Sequence, residues 1–475
     1  MGSRGVRAKL GRMLTFRLNG REVDASGADP NTTLLGWLRE RGLTGSKEGC
    51  AEGECGACAV VVVTEGPDGK TRYQPVNSCL YLLGSAIGRE IVTVEGVANG
   101  ALHPVQKAMV ELGGSQCGYC TPGFIMSLFA EYYRDGRVEG ELDPEAIAGN
   151  LCRCTGYRPI RDAGRRLPLV SDGDGHAARL KSPAPTDADV TLTAGERVYL
   201  RPSSLAGVFD ALAQHPGAKL VTGGTDAVVE MNQRLTRYEA IVSLEAVEEL
   251  RVFEDADDAL ILGAAVPLAE IEERLDGALP MLEALLPLFS SRLIRNRATL
   301  GGNLATASPI GDSPPVLLAL GAEVILASAE GERTVPVSEL FTGYRKTALK
   351  DGEVIAKVRI PKPFPTIGRF YKVSKRVHDD ISTVAAGFAI DLDDAGVVKQ
   401  ARLAYGGVAA TPARASDAEK ALVGKKWSAE AVADAKTRLA RSFTPMTDQR
   451  GSADYRAAMV TRLLDKLWAE TGASA

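Results

Sequence analysis

The stretch CAEGECGACAV, residues 50–60, decides the reading of this chain. It spaces three cysteines as Cys50-x4-Cys55-x2-Cys58, and a fourth, Cys79, follows alone. That is the plant-type spacing for a [2Fe–2S] cluster held by four thiolates. Gly49, Gly53 and Gly56 alternate with these cysteines. A backbone wrapped tightly around a cluster, with N–H groups turned to sulfur, needs such residues. Zinc is the alternative. Zinc modules pair two short cysteine hooks far apart, and three cysteines in one loop with a lone distant fourth fit that poorly.

Outward from this loop the chain reads as a small α+β unit. MLTFRLNGREVD (residues 13–24) alternates around Asn19-Gly20, a strong hairpin signal. TLLGWLRER (33–41) reads as a helix with Leu34, Leu35, Trp37 and Leu38 as core, and Ala59 to Val63 as a buried strand. These features predict a small α+β domain over residues 13–98, and its cysteine spacing resembles the plant-type ferredoxins, which implies their β-grasp fold. From 99 to 170 the pattern turns to four short helices: HPVQKAMVELG, GFIMSLFAEYYRDG, PEAIAGNL and one that starts after Arg158-Pro159. Between them lies a second set, Cys117-x2-Cys120 and Cys152-x-Cys154. Each pair is predicted at a helix N-terminus, where free N–H groups favour thiolates. Alone, this set leaves zinc and iron–sulfur open; beside the first it reads as a second cluster. His103 and His176 have no ligand partner nearby and read as structural. The basic run Arg158 to Arg166 reads as a solvated helix face or an inter-domain contact.

With 475 residues the chain exceeds a single core, and several domains are expected. A net charge of −4 gives no reason to expect nucleic acid or an anionic membrane as partner. The longest apolar run, Pro315 to Ala329, is broken by Glu323 and reads as a buried helix and strand rather than a membrane span. The basic N-terminus has no signal-peptide core, and Met13 is an alternative start. A cytoplasmic location is expected, and there eight cysteines are unlike disulfides. All eight lie between Cys50 and Cys154. A linker is predicted at 171–196, which is rich in Asp, Ala, Pro and Gly. Beyond it, 197–363 alternates strands and helices with two Gly-rich turns, and 364–475 carries a βββ-plus-helix pattern. The fold class is multidomain α+β. By themselves Gly223-Gly224 and Gly301-Gly302 read as ordinary turns, since no GxGxxG opens a βαβ unit.

CAEGECGACAV, GSQCGYCTPGFIMS (114–127) and NLCRCTGYRPI (150–160) closely resemble the iron–sulfur region of the molybdenum hydroxylases, the xanthine dehydrogenase and aldehyde oxidase family. LVTGGTDAVVE (220–230), IRNRATLGGNLATASPIGDSPP (294–315), TGYRKTALKDGEVI (342–355) and FYKVSKRVHDDISTVAAGF (370–388) resemble that family's FAD domain. The resemblance implies two [2Fe–2S] clusters and FAD. It implies FAD-cradling loops at Leu220, Val221, Thr222, Gly223, Gly224, Thr225, Asp226 and Ala227, and at Thr299, Leu300, Gly301, Gly302 and Asn303. Asp312, Ile355 and Lys372 match further FAD contacts, and Phe289 matches an aromatic beside the isoalloxazine. Asp379 matches an acidic loop that influences whether NAD or oxygen accepts electrons. Val377-His378 before it depart from the vertebrate pattern. Gln116 matches a residue that hydrogen-bonds a molybdopterin cofactor.

Nothing in the chain resembles the family's molybdenum domain, so the resemblance implies a large partner subunit carrying it, a dimer of heterodimers and NAD+/NADH as small-molecule substrate. Clusters and flavin on one chain point to the electron-transfer subunit of the two-subunit bacterial kind of xanthine dehydrogenase. The alternative is the equivalent subunit of an aldehyde or N-heteroaromatic hydroxylase. With eight cysteines taken as ligands, no thiol is left for a regulatory disulfide.

Overall fold

The computed structural model describes residues 14–472, so Met13 lies outside the described residues. Thr15–Leu18 and Arg21–Asp24 form the expected hairpin, with positive φ at Asn19 and Gly20 (51° and 78°). Helix Leu34–Glu40 starts at Thr33, whose hydroxyl accepts the Gly36 N–H at 3.2 Å, and it buries Trp37 and its three leucines. Strand Ala59–Glu65 runs two residues past its predicted end and pairs with Thr71–Asn77 and Glu90–Val92. Glu90–Val92 lies parallel to Thr15–Leu18 and closes a five-stranded sheet.

The next domain has helices Pro104–Glu111, Thr121–Tyr132 and Arg158–Arg165. Its third predicted helix is a single 3₁₀ turn, Pro144–Ile147. The chain leaves the turn because its following groups bond elsewhere: Asn150 Nδ2 donates to the Gly56 carbonyl (3.2 Å) and Leu151 N–H to the Cys55 carbonyl (3.0 Å). His103 is buried. Its Nδ1 accepts the Val105 N–H, and its Nε2 lies 2.9 Å from the Tyr133 hydroxyl. The side chains Arg158, Arg161, Arg165 and Arg166 are exposed, as a solvated face requires.

The predicted linker is shorter than 171–196. Helix Gly175–Leu180 docks through His176 Nε2 on the Val97 carbonyl (3.2 Å). Strand Val190–Ala194 pairs with Arg197–Arg201, so the second half begins at 190 rather than 197. Burial alternates along that strand, with Val190 and Leu192 inward, which composition alone does not reveal.

The second half contains a four-stranded sheet (Val190–Ala194, Arg197–Arg201, Ala240–Ser243, Lys219–Val221) and a five-stranded one (Phe253–Asp255, Ala259–Gly263, Val354–Pro361, Glu323–Ser328, Gly331–Pro336). Pro315 to Ala329 is indeed a buried helix, Ser313–Leu320, followed by strand Glu323–Ser328. Among the described residues no helix is long and apolar enough to cross a membrane. A further four-stranded sheet, Ile367–Val373 to Ala413–Arg414, carries helices Ser416–Leu422, Ala429–Leu439 and Ala453–Thr471 over a core of its own.

The first domain is fused to the second half by one continuous core, reaching from Phe16 and Leu80 to Val221 and Leu317. Buried Arg201 donates to the Ser85 and Ile87 carbonyls (3.1 and 2.9 Å). Buried Glu245 holds Arg89 at 3.0 Å and Arg297 at 2.7 Å.

Candidate functional site

Cys50, Cys55, Cys58 and Cys79 converge although Cys79 lies far along the chain. Their thiols pair off, Cys50 with Cys55 and Cys58 with Cys79. Cys50 Sγ accepts the N–H groups of Glu52 and Cys55, both at 3.4 Å. The Cys55 thiol and these N–H groups bring Cys50 down to about 5, and burial opposes them only in part. In the second set Cys117 pairs with Cys154 and Cys120 with Cys152. A two-iron cluster takes two thiolates on each iron, so pairs are its donor arrangement.

Local contacts explain the loops. Asn77 donates to the Gly53 carbonyl at 2.8 Å and faces the Cys58 thiol, while Ser78 holds the Cys58 carbonyl at 2.6 Å. At Gly56 a Cβ would stand 2.2 Å from the Gly149 carbonyl, so only glycine lets the helical domain close on the first loop. Cys120 is the N-cap of helix Thr121–Tyr132, as predicted. Cys152 and Cys154, by contrast, precede their helix, separated from it by Tyr157 at φ 68°. There Thr155 donates its N–H to Cys152 Sγ at 3.4 Å, and Tyr157 accepts the Cys152 N–H at 3.0 Å. Cys117, Cys154 and Gln116 are exposed on one side of this domain. On its other side the Leu151 N–H bond to the Cys55 carbonyl and the Asn150 bond to the Gly56 carbonyl join the two loops.

In the flavin half the two Gly-rich turns meet. A Cβ on Gly223 would fall 1.8 Å from the Arg297 carbonyl, just ahead of Thr299. Thr299 caps helix Leu300–Ala305, its hydroxyl accepting the Gly302 N–H at 3.0 Å. Among the described residues, no protein acceptor takes the N–H groups of Gly223, Gly224, Thr225, Leu300 or Gly301. Free N–H groups on two adjoining turns are what a pyrophosphate needs, so the residues present fit FAD. Asp226 is exposed, and Ala227 opens helix Ala227–Gln233. Lys372 donates to Asp312 (2.7 Å) and to the Leu288 carbonyl (2.8 Å). The next residues are Phe289 and Ser290, and Ser290 Oγ donates to Asp379 Oδ1 at 2.9 Å. Lys372, Asp312, Phe289 and Asp379 are thus gathered on segment 288–290. Ile355 is buried where strand Val354–Pro361 bulges against Leu326. Asp379 Oδ2 is buried with no partner, and burial, then the charge of Glu54, raises its carboxyl to about 6. Glu54 belongs to the first cysteine loop, so Asp379, bonded to Ser290, also feels the charge of that loop. Gln116 lies apart from this cradle, beside Cys117.

Residues 16–83 match the 2Fe-2S iron-sulfur cluster binding domain and 93–165 the [2Fe-2S] binding domain. Residues 192–363 match the FAD binding domain in molybdopterin dehydrogenase, and 369–471 the CO dehydrogenase flavoprotein C-terminal domain. A carbon monoxide dehydrogenase chain from Hydrogenophaga pseudoflava is 30% identical, with a TM-score of 0.54 over 56% of this chain and 94% of that one. The chain belongs to the molybdenum hydroxylase family. Its place there is the electron-transfer region, with two [2Fe–2S] domains and an FAD-binding domain. The xanthine dehydrogenase of Emericella nidulans is 35% identical over 87% of this chain and 35% of its own length. The chain therefore spans about a third of that relative. Quinoline 2-oxidoreductase from Pseudomonas putida 86 is 29% identical with a TM-score of 0.55, over 58% of this chain and 97% of that one.

Sequence reading missed the residues that join the flavin half to the first cluster loop. Asn232 Nδ2 donates to the Ala51 and Cys79 carbonyls, both at 2.9 Å, and Gln233 to the Cys50 carbonyl at 3.2 Å. Both end helix Ala227–Gln233, which follows the Gly223-Gly224 turn. A polar pair at a helix end has no spacing signature.

Proposed function

We propose that this chain is the electron-transfer arm of a xanthine dehydrogenase, serving the oxidation of hypoxanthine and xanthine to urate with NAD+ as acceptor. The observation that carries this reading is the serial order of contacts. The Cys152 loop meets the Cys55 loop through Leu151, and the Cys50/Cys79 loop meets the flavin half through Asn232 and Gln233. A relay needs such an order, one centre beside the next. The exposed side bearing Gln116, Cys117 and Cys154 is the face for a partner chain holding a molybdenum cofactor, in a dimer of heterodimers.

FAD, when bound, supplies the junction between one-electron and two-electron chemistry. The chain's own residues bind and orient it. Free N–H groups at Gly223 to Thr225 and at Leu300 and Gly301 hold the pyrophosphate, and the Lys372–Asp312 pair fixes the Leu288 carbonyl and so the placement of Phe289. Asp379 supplies a carboxyl near the acceptor side. The xanthine dehydrogenase relative supports a purine substrate. A second reading, an N-heteroaromatic hydroxylase, is supported by the likeness to quinoline 2-oxidoreductase.

The test uses the full chain with and without its molybdenum partner. Alone it is expected to reduce ferricyanide with NADH and to leave xanthine untouched. With the partner, xanthine is expected to be oxidised and quinoline not. Xanthine turnover by the chain alone would overturn the partner assignment, and a flavin inert to NADH would overturn the acceptor.

A further inference from the structure

Arg295, at the end of helix Arg292–Arg295, has a fully buried side chain. Its Nη1 donates to the Phe289 and Pro287 carbonyls at 3.3 and 3.4 Å. A guanidinium so buried needs carboxylates around it, since an unpaired buried charge is strongly destabilising. It has two. Glu272 Oε2 lies 3.2 Å from Nε, and Glu145 Oε2 lies 2.6 Å from Nη2. Glu272 comes from the flavin half itself. Glu145 comes from the 3₁₀ turn of the helical cluster domain. Its second oxygen stands 3.4 Å from His378 Nδ1, next to Asp379, and the same His378 nitrogen is 3.4 Å from the Pro287 carbonyl.

One carboxylate therefore ties both segments that flank the flavin, 287–289 and 378–379, to the domain that bears Cys152. The run from Glu145 to Cys152 is a bridge. A Cβ on Gly149 would stand 2.7 Å from Ser291 Oγ, and Leu151 bonds to Cys55. We propose that Glu145 is a positioning residue for the flavin, holding the Phe289 segment and the His378–Asp379 loop in register through Arg295 and His378. This rests on the flavin reading above. Removing the Glu145 charge leaves Arg295 with one carboxylate instead of two. The added positive field beside Phe289 favours the more negative, reduced flavin.

The test is anaerobic redox titration of the full chain, loaded with iron and FAD, comparing wild type, Glu145→Gln, Glu145→Asp and His378→Ala. At a fixed poise, Glu145→Gln is expected to raise the ratio of reduced to oxidised flavin about tenfold, about 30 mV for a two-electron couple. The visible circular dichroism of the flavin should change with it, and Glu145→Asp should restore both. His378→Ala alters a partly exposed side chain, so it keeps the test decisive should Glu145→Gln lose FAD; it is expected to change the dichroism in the same sense by a smaller amount. Wild-type titration and dichroism in Glu145→Gln and His378→Ala, with only a lower melting temperature in Glu145→Gln, would reduce Glu145 to a structural fastening and overturn the proposal. The poise is set by mediators rather than NADH, so a flavin inert to NADH would refute the acceptor reading while the titration still decides on Glu145.

Discussion

Replacing Glu245 by Gln should loosen the first cluster domain from the flavin half, and the size of the effect follows from its surroundings. The carboxylate is buried among Arg89 (3.0 Å), Arg297 (2.7 Å) and the Tyr199 hydroxyl (3.2 Å). Arg89 keeps a second partner, Asp187, at 2.9 Å, but the structure gives Arg297 no other carboxylate. Gln preserves the shape and strands a buried guanidinium, a change that costs about 3–5 kcal/mol. For large domains about 2–4 °C of melting temperature goes with each kcal/mol, so a fall of about 10 °C is expected. The pH dependence adds a second check. Burial alone would raise the Glu245 carboxyl, but Arg297, Arg89 and Arg201 hold it well below the usual range. A carboxyl depressed in the folded state stabilises above its unfolded value, about 4.3, and that contribution is lost as pH falls below it. The gap between wild type and Glu245→Gln should thus be full at pH 7 and shrink below about pH 4. Thermal unfolding, followed separately by flavin fluorescence and cluster absorbance, would show both. Melting temperatures within about 2 °C of each other at pH 7 would refute the argument that this carboxylate locks the domains.

Three further outcomes follow from single contacts. Gly223→Ala drives a Cβ into the Arg297 carbonyl and should cost most of the FAD while leaving about four irons per chain, as iron analysis and flavin absorbance would show; full FAD content would refute the cradle. Asn232→Ala strips one donor from both the Ala51 and Cys79 carbonyls, a loss of about 1–3 kcal/mol, and should speed release of iron from the plant-type cluster to a chelator while the second cluster's EPR signal persists. Asp379, raised to about 6, is penalised once ionised, so wild-type stability should fall as pH climbs from about 4 through 6, whereas Asp379→Asn should stay flat; parallel melting curves across that window would rule this out.

What could be read from the sequence follows the distance over which each constraint acts. Cys50, Cys55 and Cys58 sit within nine residues because one loop must supply three ligands, and the Asn19-Gly20 turn is legible because its positive φ values restrict residue choice locally. The sequence PEAIAGNL has helical spacing and predicts a helix where the structure has only the 3₁₀ turn Pro144–Ile147, because Asn150 and Leu151 spend their hydrogen bonds on Gly56 and Cys55, nearly a hundred residues earlier. Propensity is overridden wherever a distant backbone group is the better partner. The same holds for the site. Lys372 and Asp312 stand out in sequence only through motif resemblance, and only the fold shows that they pair at 2.7 Å. Glu145 lies in no resembling stretch, and the stretch that holds Arg295 assigns it no role, since Glu and Arg are common everywhere and only the fold makes this pair singular. Nearby centres in a relay require domains held in fixed register, and the residues that hold them are long-range polar contacts of this kind. Function is therefore most legible at the ligands and least legible at the joints, and the joints are where substitutions should change electron transfer without touching a single ligand.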